Sequence, residues 1–389
     1  MVSRAPVGSY TSKLVKGFAM SCPDDQVVVY GPQGETRIEK DIPLVEVWTQ
    51  GRYPFQIFRK LCHDKPDIVH IQHEFGMFGN PFVLSLAPLL YVLLKFLSVR
   101  VVTTLHSLVF PDSLSKDSIG ELLHLASQIP RFVIKLGLHV IYGSAIGLSS
   151  LVIVHQQSHK IKLERCYRIG GPKISFIPHG VGPTEYAASP ETISVWRSKF
   201  EHSRVMLYLG YVSPRKGIEY LIDAFEAFTK VRPEWRLVLA GGLSKTYYES
   251  YRKRIMDTIR QKGLIDKVVM TGFVPERDAD ALYRLCEFVV LPYIQEVGNA
   301  SACNLAMGYG KPIIASNLSP FPEEIENLKE GILCPPRDSV RLLEAMENLC
   351  SDPRLYGEIT ANLGRLGKTR NWETVAYGTE KLYAIALNG

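Results

Sequence analysis

The residues best suited to chemistry fall into two groups, and each group follows predicted apolar strands. In the first half they are His73, Glu74, His106 and His179, with Gly8 near the amino terminus; in the second they are Arg215, Lys216, Gly241, Gly272 and Glu296. Arginine offers a bidentate fork and lysine a point charge, so the second group suits a pyrophosphate. Imidazoles and a carboxylate in the first group suit sugar hydroxyls or proton transfer.

One stretch, residues 291–316, predicts a strand end, a loop of small residues, a short helix and a second strand. Glu296 opens the loop. The small residues after it are Gly298, Asn299, Ala300 and Ser301. Small side chains let backbone N–H groups approach a ligand closely, and open α/β sheets bind ligands at this edge. By itself, the stretch fits an anion-binding loop and an ordinary turn with a solvated glutamate equally well.

Length and composition restrict the class of protein. A chain of 389 residues with 46% hydrophobic and 22% charged residues predicts two globular domains. The formal net charge of +6 suits anionic small molecules or an anionic membrane surface, and it is too diffuse to predict nucleic-acid binding. Seven scattered cysteines without a CxxC pair argue against disulfides and zinc knuckles and favour a reducing cytoplasm.

Predicted strands and helices alternate along the chain, as they do in proteins with parallel sheets. The predicted fold class is therefore α/β, with two doubly wound Rossmann-like domains facing across a cleft. The composition turns polar over residues 183–190, and we place the boundary there, with a first domain at 1–186 and a second at 187–371.

The amino terminus lacks a full strand before its first predicted helix. Gly8 would lie at the amino end of that helix, where free N–H groups and the helix dipole favour phosphate. A disordered terminus followed by a helix that Ser9 caps is the alternative.

Two apolar segments raise the question of membrane contact. Residues 82–97 are fewer than the ~20 that a span needs and include Pro88, so a buried or membrane-surface helix is expected. Residues 131–148 predict a long helix with a basic stripe formed by Arg131, Lys135 and His139, which could lie on an anionic bilayer. Packing against the sheet explains the apolar residues of this helix equally well and is the preferred interpretation.

Several motifs are missing from the sequence. It contains no GxxxxGK[ST] loop, no GxSxG elbow, no GxGxxG fingerprint and no metal-ligand cluster at a useful spacing. These absences disfavour a P-loop nucleotidase, an α/β hydrolase and a dinucleotide-dependent reductase. A phosphate-binding half joined to a half with acid and base groups instead suggests group transfer from a nucleotide-activated donor.

Six runs of the sequence resemble the retaining glycosyltransferases of the GT-B fold, and in particular family 4. The runs are LYLGYVSPRKGIEYLIDAFEAF, WRLVLAGG, VVMTGFVPERDADALYRLCEFVVLPY and AMGYGKPIIAS in the second half, with VVTTLHS and FIPHGVG in the first. The resemblance covers most of the chain from Pro66 on. It implies that the closing helix, residues 372–389, rejoins the first domain.

The resemblance implies a role for each matching residue. Lys216 and Arg215 would bind the donor's diphosphate, with Gly8 in a nearby glycine loop. The residues near the nucleotide base would be Gly272, Phe273 and Val274. His106 and Glu296 would contact the donor sugar.

The implied reaction transfers a hexosyl unit, such as mannose or glucose, from a UDP- or GDP-sugar to an acceptor hydroxyl. The anomeric configuration is retained, and neither a cofactor nor a metal ion is required. The acceptor is a glycan, a glycolipid or a lipid-linked molecule. His73, Glu74 and His179 would line the acceptor side. The expected location is the cytoplasm, at the inner face of the membrane.

The sequence departs from the family pattern at three places. Tyr211 replaces the usual arginine after the first strand-end glycine, and Arg215 would substitute for it. The second glutamate of the paired-glutamate motif is missing, and its place is taken by Asn304 or by Leu305, depending on the direction of counting. The first strand is absent or shortened. A nucleotide-sugar-binding protein without transferase activity and a nucleotide-sugar epimerase are therefore alternatives.

Overall fold

Two units make up the chain, and each has its own sheets. The computed structural model describes residues 6–34, 37–39, 42–49, 51–74, 81–106, 108–110, 130–169, 172–200, 203–243, 249–296 and 300–388. The first unit contains Met1–His179 and Trp372–Gly389, and the second unit contains Gly180–Asn371.

The first unit ends at His179, before the polar stretch where the sequence placed the boundary. The reason is that this stretch and the residues just before it are hydrogen-bonded to the rest of the second unit. The Val181 N–H donates to the Arg370 carbonyl at 2.8 Å, and the Ala188 N–H donates to the Asp280 carboxylate at 2.9 Å. The segment is therefore an ordered part of the second unit.

The first unit contains one parallel sheet and one smaller mixed sheet. The strands are β1 (Val29–Pro32), β2 (Arg37–Glu39), β3 (Ile42–Trp48), β4 (Ile68–His73), β5 (Arg100–Leu105), β6 (Leu151–Val154) and β7 (Ile174–Phe176). The parallel sheet has the order β4-β5-β6-β7, and the smaller sheet has the order β1-β3-β2. All four residues of β6 are buried, as expected for an apolar strand covered on both faces.

The helices of the first unit begin and end largely where the apolar periodicity predicts. They are α1 (Pro6–Ser21), α2 (Tyr53–Asp64), α3 (Pro81–Leu84), α4 (Ala87–Leu94), α5 (Arg131–Leu148) and α6 (Gln157–Tyr167). The prediction of one helix over residues 82–97 is wrong, because Pro88 can occupy only the first turn of a helix and a new helix begins there. The buried face of α4 includes Leu90, Tyr91 and Leu94.

The second unit is built on a six-stranded, wholly parallel sheet. Its strands are β8 (Arg204–Leu209), β9 (Trp235–Ala240), β10 (Val268–Gly272), β11 (Phe288–Leu291), β12 (Ile313–Ser316) and β13 (Gly331–Cys334). The order β10-β9-β8-β11-β12-β13 is that of a doubly wound sheet. The chain adds strands toward one side of the sheet from β8 to β10 and toward the other side from β11 to β13, so the switch point lies between β8 and β11. Parallel α/β sheets in both units confirm the predicted fold class.

Helices cover this second sheet, and one further helix returns to the first unit. They are α7 (Pro190–Lys199), α8 (Ile218–Val231), α9 (Glu249–Gln261), α10 (Glu276–Leu285), α11 (Ser301–Gly308), α12 (Phe321–Glu324), α13 (Ser339–Ser351), α14 (Pro353–Thr369) and α15 (Trp372–Asn388). Helix α8 buries Leu221, Ile222 and Phe225 on one face, which gives the sheet an apolar layer.

Helix α15 belongs to the first unit and packs against α1. The contact is so close that a Cβ atom at Gly17 would lie 2.4 Å from the Trp372 carbonyl oxygen. Tyr10, Leu14 and Phe18 form the buried stripe of α1, as their helical spacing predicts. This packing places the Trp372 backbone beside Gly17 and its ring 5.1 Å from that of Tyr10, measured between ring centres.

Candidate functional site

The carboxyl ends of four neighbouring strands of the second sheet carry most of the predicted phosphate-binding residues. Arg215 and Lys216 follow β8, Gly241 follows β9, Gly272 ends β10 and Glu296 follows β11. These four strands are adjacent in the order β10-β9-β8-β11, so their ends meet at one edge. That edge includes the point between β8 and β11 where a doubly wound sheet binds its ligand.

Glycines let the backbones at this edge approach closely. Gly210 and Gly241 have φ values of 154° and 153°. The Gly241 N–H donates to the Gly272 carbonyl at 3.0 Å, and a Cβ atom on Gly241 would lie only 1.8 Å from the Gly210 carbonyl oxygen. No side chain can be inserted here without moving a strand end. The three glycines therefore form a flat backbone surface that a ligand can approach.

The loop after β8 is bonded to the loop after β11. Pro214–Lys216 forms a single 3₁₀ turn, and Gly217 follows it with a φ of 62°. The Ile294 N–H donates to the Arg215 carbonyl at 2.9 Å. A Cβ atom at Gly217 would lie 2.1 Å from the Pro292 carbonyl oxygen, so this contact also requires glycine. The two loops that border the switch point are thus held together.

An aromatic ring supports the Lys216 ammonium group. Its Nζ atom lies 3.5 Å from the centre of the Tyr293 ring, which is a cation–π contact, and the lysine is only 8% exposed. Tyr293 itself is buried and packs edge-on against Phe321, with ring centres 5.1 Å apart. Burial raises the pKa of Tyr293, and the charge of Arg215 opposes this effect. The sequence offered one signal for Tyr293, its position directly after the strand-closing Pro292.

The remaining predicted residues of this edge differ in exposure. Phe273 is 52% exposed, Glu296 is exposed and Val274 is half-buried. Ala300 is buried, and Ser301 begins α11. Gly298 and Asn299 lie outside the described residues. The ring after β10 and the carboxylate after β11 are therefore both exposed to solvent.

Asn304 and Leu305, the two candidates for the missing glutamate, have different surroundings. Asn304 is buried, and its side-chain oxygen accepts a hydrogen bond from Arg370 at 3.4 Å. Arg370 also forms an ion pair with Glu324, whose side chain is only 7% exposed. Burial raises the pKa of Glu324, against the lowering effect of Arg370. Leu305 instead packs against the hydrophobic core.

The sequence did not predict this buried pair. Glu324 and Arg370 are far apart along the chain, and no local pattern connects them. Removing one partner of such a pair leaves an uncompensated buried charge, which lowers the free energy of unfolding. The pair therefore fixes α12 to the end of α14, behind the helix that bears Asn304.

In the first unit, His106 lies at the carboxyl end of β5. Its Nε2 atom is 2.7 Å from the side-chain oxygen of Gln72, which itself lies in β4. The ring centre lies 4.5 Å from that of Tyr10 and 5.1 Å from that of His155. Burial, with the neighbouring histidines His155 and His179 next in importance, lowers the pKa of His106 well below its usual value. A neutral imidazole is therefore held at this edge.

Tyr10 is the centre of an aromatic cluster at this edge of the first sheet. His179 lies 5.2 Å from it, His155 5.0 Å and Trp372 5.1 Å, all between ring centres. Sequence reasoning missed His155. It directly follows β6, and Leu105 pairs with Val154, so His155 and His106 are adjacent strand-end residues. The rule that polar residues directly after a buried strand are candidates for the site, which predicts His106, also predicts His155.

His73 does not lie beyond the strand as predicted. Strand β4 continues through His73, because its pairing with β5 extends to Leu105. The ring is fully buried, and the hydroxyl of Tyr91 lies 3.4 Å from its Nδ1 atom. Glu74 follows as a half-buried residue. Gly8 is half-buried in the first turn of α1, at the amino end expected for it.

The buried histidines predict that the first unit loses stability in mild acid. Burial, followed by the effect of His155, lowers the pKa of His70 to about 3, and burial lowers that of His73 to about 4. An unfolded histidine titrates near ~6.5. As the pH falls below this value, the unfolded chain binds protons that the folded chain does not. Each ring then lowers the free energy of unfolding by about 1.4 kcal/mol per pH unit, until its folded pKa is reached.

Urea unfolding followed by circular dichroism at about pH 7.5 and about pH 5.5 measures this loss. We expect the first unit to be less stable at the lower pH, and His73→Gln to have a smaller pH dependence than the unchanged chain. Equal stability at the two pH values would contradict the prediction.

The match to a known protein family lies in the second unit. Residues 191–369 match the family model described as glycosyl transferases group 1, which is slightly less than half of the chain. The second unit is therefore similar to this family along most of its length. The matched segment contains both loops that border the switch point and the glycines of the flat backbone surface.

Curated relatives extend the similarity beyond this domain. An uncharacterized glycosyltransferase of Methanocaldococcus jannaschii is 28% identical over 239 residues, which cover 59% of each chain. A D-inositol 3-phosphate glycosyltransferase of Segniliparus rotundus is 24% identical over 253 residues, or 64% of this chain and 55% of the relative. The aligned part of the chain thus spans little more than half the length of these two relatives.

Solved structures show that the fold is shared across both units. The Anabaena protein HepE, crystallised in complex with UDP, has a TM-score of 0.74 at 18% identity, with 98% of each chain covered. A glycosyltransferase from Rickettsia africae has a TM-score of 0.72 at 16% identity, covering 100% of this chain and 97% of that one. At such identities the comparison establishes the fold alone, which is the GT-B fold.

Proposed function

We propose that this protein is a retaining glycosyltransferase of family 4. It moves a hexosyl unit from a UDP- or GDP-sugar to a hydroxyl of a glycan, a glycolipid or a lipid-linked acceptor. The observation that carries the proposal is the edge of the second sheet, where the Lys216 ammonium lies on Tyr293 beside the switch point between β8 and β11.

The second unit would bind the nucleotide. Lys216 and Arg215 hold the diphosphate, and residues 272–274 contact the base, largely through backbone groups. The flat surface of strand-end glycines allows the phosphates to approach backbone N–H groups. That HepE was crystallised in complex with UDP supports a uridine nucleotide as the donor's nucleotide. Fixed positive charge stabilises the leaving diphosphate, so the proposal includes no metal ion.

Glu296 and His106 would contact the donor sugar. Glu296 is exposed at the start of its loop, where it can accept hydrogen bonds from sugar hydroxyls. A neutral imidazole at His106 can accept or donate one hydrogen bond without adding charge beside the anomeric carbon. Glu74 and His179 would line the acceptor side of the first unit, whereas His73 is fully buried.

We further propose that the protein acts in the cytoplasm, at the inner face of a membrane. All seven cysteines are free thiols, as expected of a protein in a reducing compartment. The membrane would present a lipid-linked acceptor.

A panel of UDP, GDP and their sugars tests the proposal by thermal unfolding. The true nucleotide should stabilise the second unit by about 2.7 kcal/mol at 100 times its dissociation constant, which raises Tm by roughly 5–10 °C. AMP serves as the control nucleotide and should leave Tm unchanged. If neither UDP nor GDP shifts the transition, the proposed donor is wrong.

Turnover separates the transferase from its alternatives. The binding nucleotide's sugars are supplied with and without an acceptor extract, and release of the nucleoside diphosphate and the sugar products are measured. Release that depends on the acceptor supports a transferase. Binding without any turnover would favour a nucleotide-sugar-binding protein, which the uncharged Asn304 in place of a second carboxylate motivates. Conversion of one nucleotide sugar into another without acceptor would indicate an epimerase.

A further inference from the structure

Helix α5 of the first unit exposes an apolar stripe. Its inner face is buried and includes Ile134, Leu138 and Ile141. Three residues spaced four apart point away from that face: Phe132 is 70% exposed, Leu136 61% and Val140 49%. Packing against the sheet explains the inner residues but not these three, so the interpretation preferred from the sequence accounts for only half of the helix.

A basic residue precedes each member of the stripe. Arg131, Lys135 and His139 are all exposed and share the four-residue spacing, so the basic row runs alongside the apolar one. We call these two rows together the outer face of α5. The helix contains no acidic residue. Within the described residues, neither Arg131 nor Lys135 has an ion-pair partner, so both charges are available to an anionic surface.

Positive charge also lies at the other end of the helix. Lys173 donates a hydrogen bond to the Gly147 carbonyl at 3.0 Å, near the carboxyl end of α5. Burial is the main cause that lowers the pKa of Lys173, and the nearby positive charge of Lys95 is the second cause. Phe96, next to Lys95, is 77% exposed. The carboxyl end of α5 is therefore bound by one lysine, and a second lysine and an exposed aromatic ring lie near that lysine.

The same helix is long and apolar enough, by length and composition alone, to cross a membrane. One third of it (33%) is buried inside the first unit, however. Crossing a bilayer would remove Leu138 and Tyr142 from a core that they fill. Lying in the plane of the interface would bury the exposed stripe and leave that core intact.

We propose that the outer face of α5 docks the first unit on an anionic bilayer. Phe132, Leu136 and Val140 enter the boundary between headgroups and acyl chains, while Arg131 and Lys135 bind anionic headgroups. An apolar row of this kind favours a lipid surface over RNA, which binds through charge and stacking. The docking itself is independent of the proposed transferase; only its purpose, bringing the site to a lipid-linked acceptor, rests on that function.

Vesicle flotation of the full chain tests this docking. We expect the protein to float with vesicles of phosphatidylglycerol and phosphatidylcholine at low salt. Vesicles of phosphatidylcholine alone, or about 1 M salt, should weaken binding strongly because the headgroup attraction is lost or screened. Phe132→Ser and Leu136→Ser should each weaken it about tenfold, since each removes a large apolar side chain from the interface. Val231→Ser is the matched control, because Val231 is equally exposed but lies in the second unit, and it should float like the unchanged chain.

The outcomes separate this proposal from the proposed function. UDP- or GDP-induced stabilisation should be the same in Phe132→Ser, Leu136→Ser and the unchanged chain, since neither residue lies at the nucleotide edge. Flotation that is absent, or that these two variants leave unchanged, would overturn the docking even if the nucleotide binds. The chain could instead form a dimer in size-exclusion chromatography that both variants dissociate, without binding vesicles. That result would assign the outer face of α5 to a second copy of the chain and would also overturn the docking proposal.

Discussion

Replacing Lys216 with alanine is expected to lower the rate of sugar transfer by about 10²–10³-fold. The ammonium group is held on the Tyr293 ring at the switch point, largely out of water. A charge fixed there stabilises the negative charge that develops on the leaving diphosphate, and no solvent has to reorganise to do so. Water that enters the vacated space replaces this charge poorly.

The rate is measured as nucleoside diphosphate released per enzyme, at saturating donor. Lys253→Ala is the matched control, because Lys253 is an exposed lysine of the same unit and lies on helix α9 rather than in a strand-end loop. It should retain full activity. Lys216→Arg should retain part of the rate, because its charge is kept but its shape is not. A Lys216→Ala protein that folds and turns over within about threefold of the unchanged chain would contradict the assigned role.

Replacing Gly241 with alanine is expected to destabilise the second unit by about 3 kcal/mol. The added Cβ atom would lie 1.8 Å from the Gly210 carbonyl oxygen, so one of the two strand ends must move. The φ of 153° at Gly241 also disfavours any residue with a side chain. Because the same backbones form the flat surface, nucleotide binding should weaken as well.

Urea unfolding of the second unit measures this loss. Gly364→Ala is the matched control, since Gly364 lies exposed inside α14 with no atom within 4 Å of its added Cβ. It should stabilise the unit by about 0.5–1 kcal/mol through helix propensity. If Gly241→Ala were as stable as the unchanged chain, the close approach of the two strand ends would not be a feature of the protein.

Features that depend on one segment of sequence were predictable. The helix Arg131–Leu148 has the predicted bounds, because it is an apolar run with a clear break at both ends. The rule that ligands bind at the carboxyl ends of parallel strands then selected Lys216 and Gly241 before the strand order was known.

Features that depend on distant partners could not be predicted in this way. The ring of Tyr293 supports Lys216 across two loops, and the Glu324–Arg370 pair joins residues without a shared local pattern. In the helix at residues 131–148, apolar residues occur on two sides. Their periodicity does not predict that only the side with Ile134 is buried in the core. Which face is covered depends on the elements packed beside it, and the sequence does not encode their positions locally.

The central claim is that a nucleotide diphosphate binds at the edge between β8 and β11 of the second unit. Amide hydrogen exchange of the full chain, with and without a saturating concentration of UDP or GDP, tests it most directly. We predict slower exchange in residues 210–217 and 272–274, which lie at the carboxyl ends of β8 and β10 in the second sheet, and no change in β1 or β3 of the first unit. Unchanged exchange in both of these segments, under conditions where the nucleotide raises Tm, would contradict the claim.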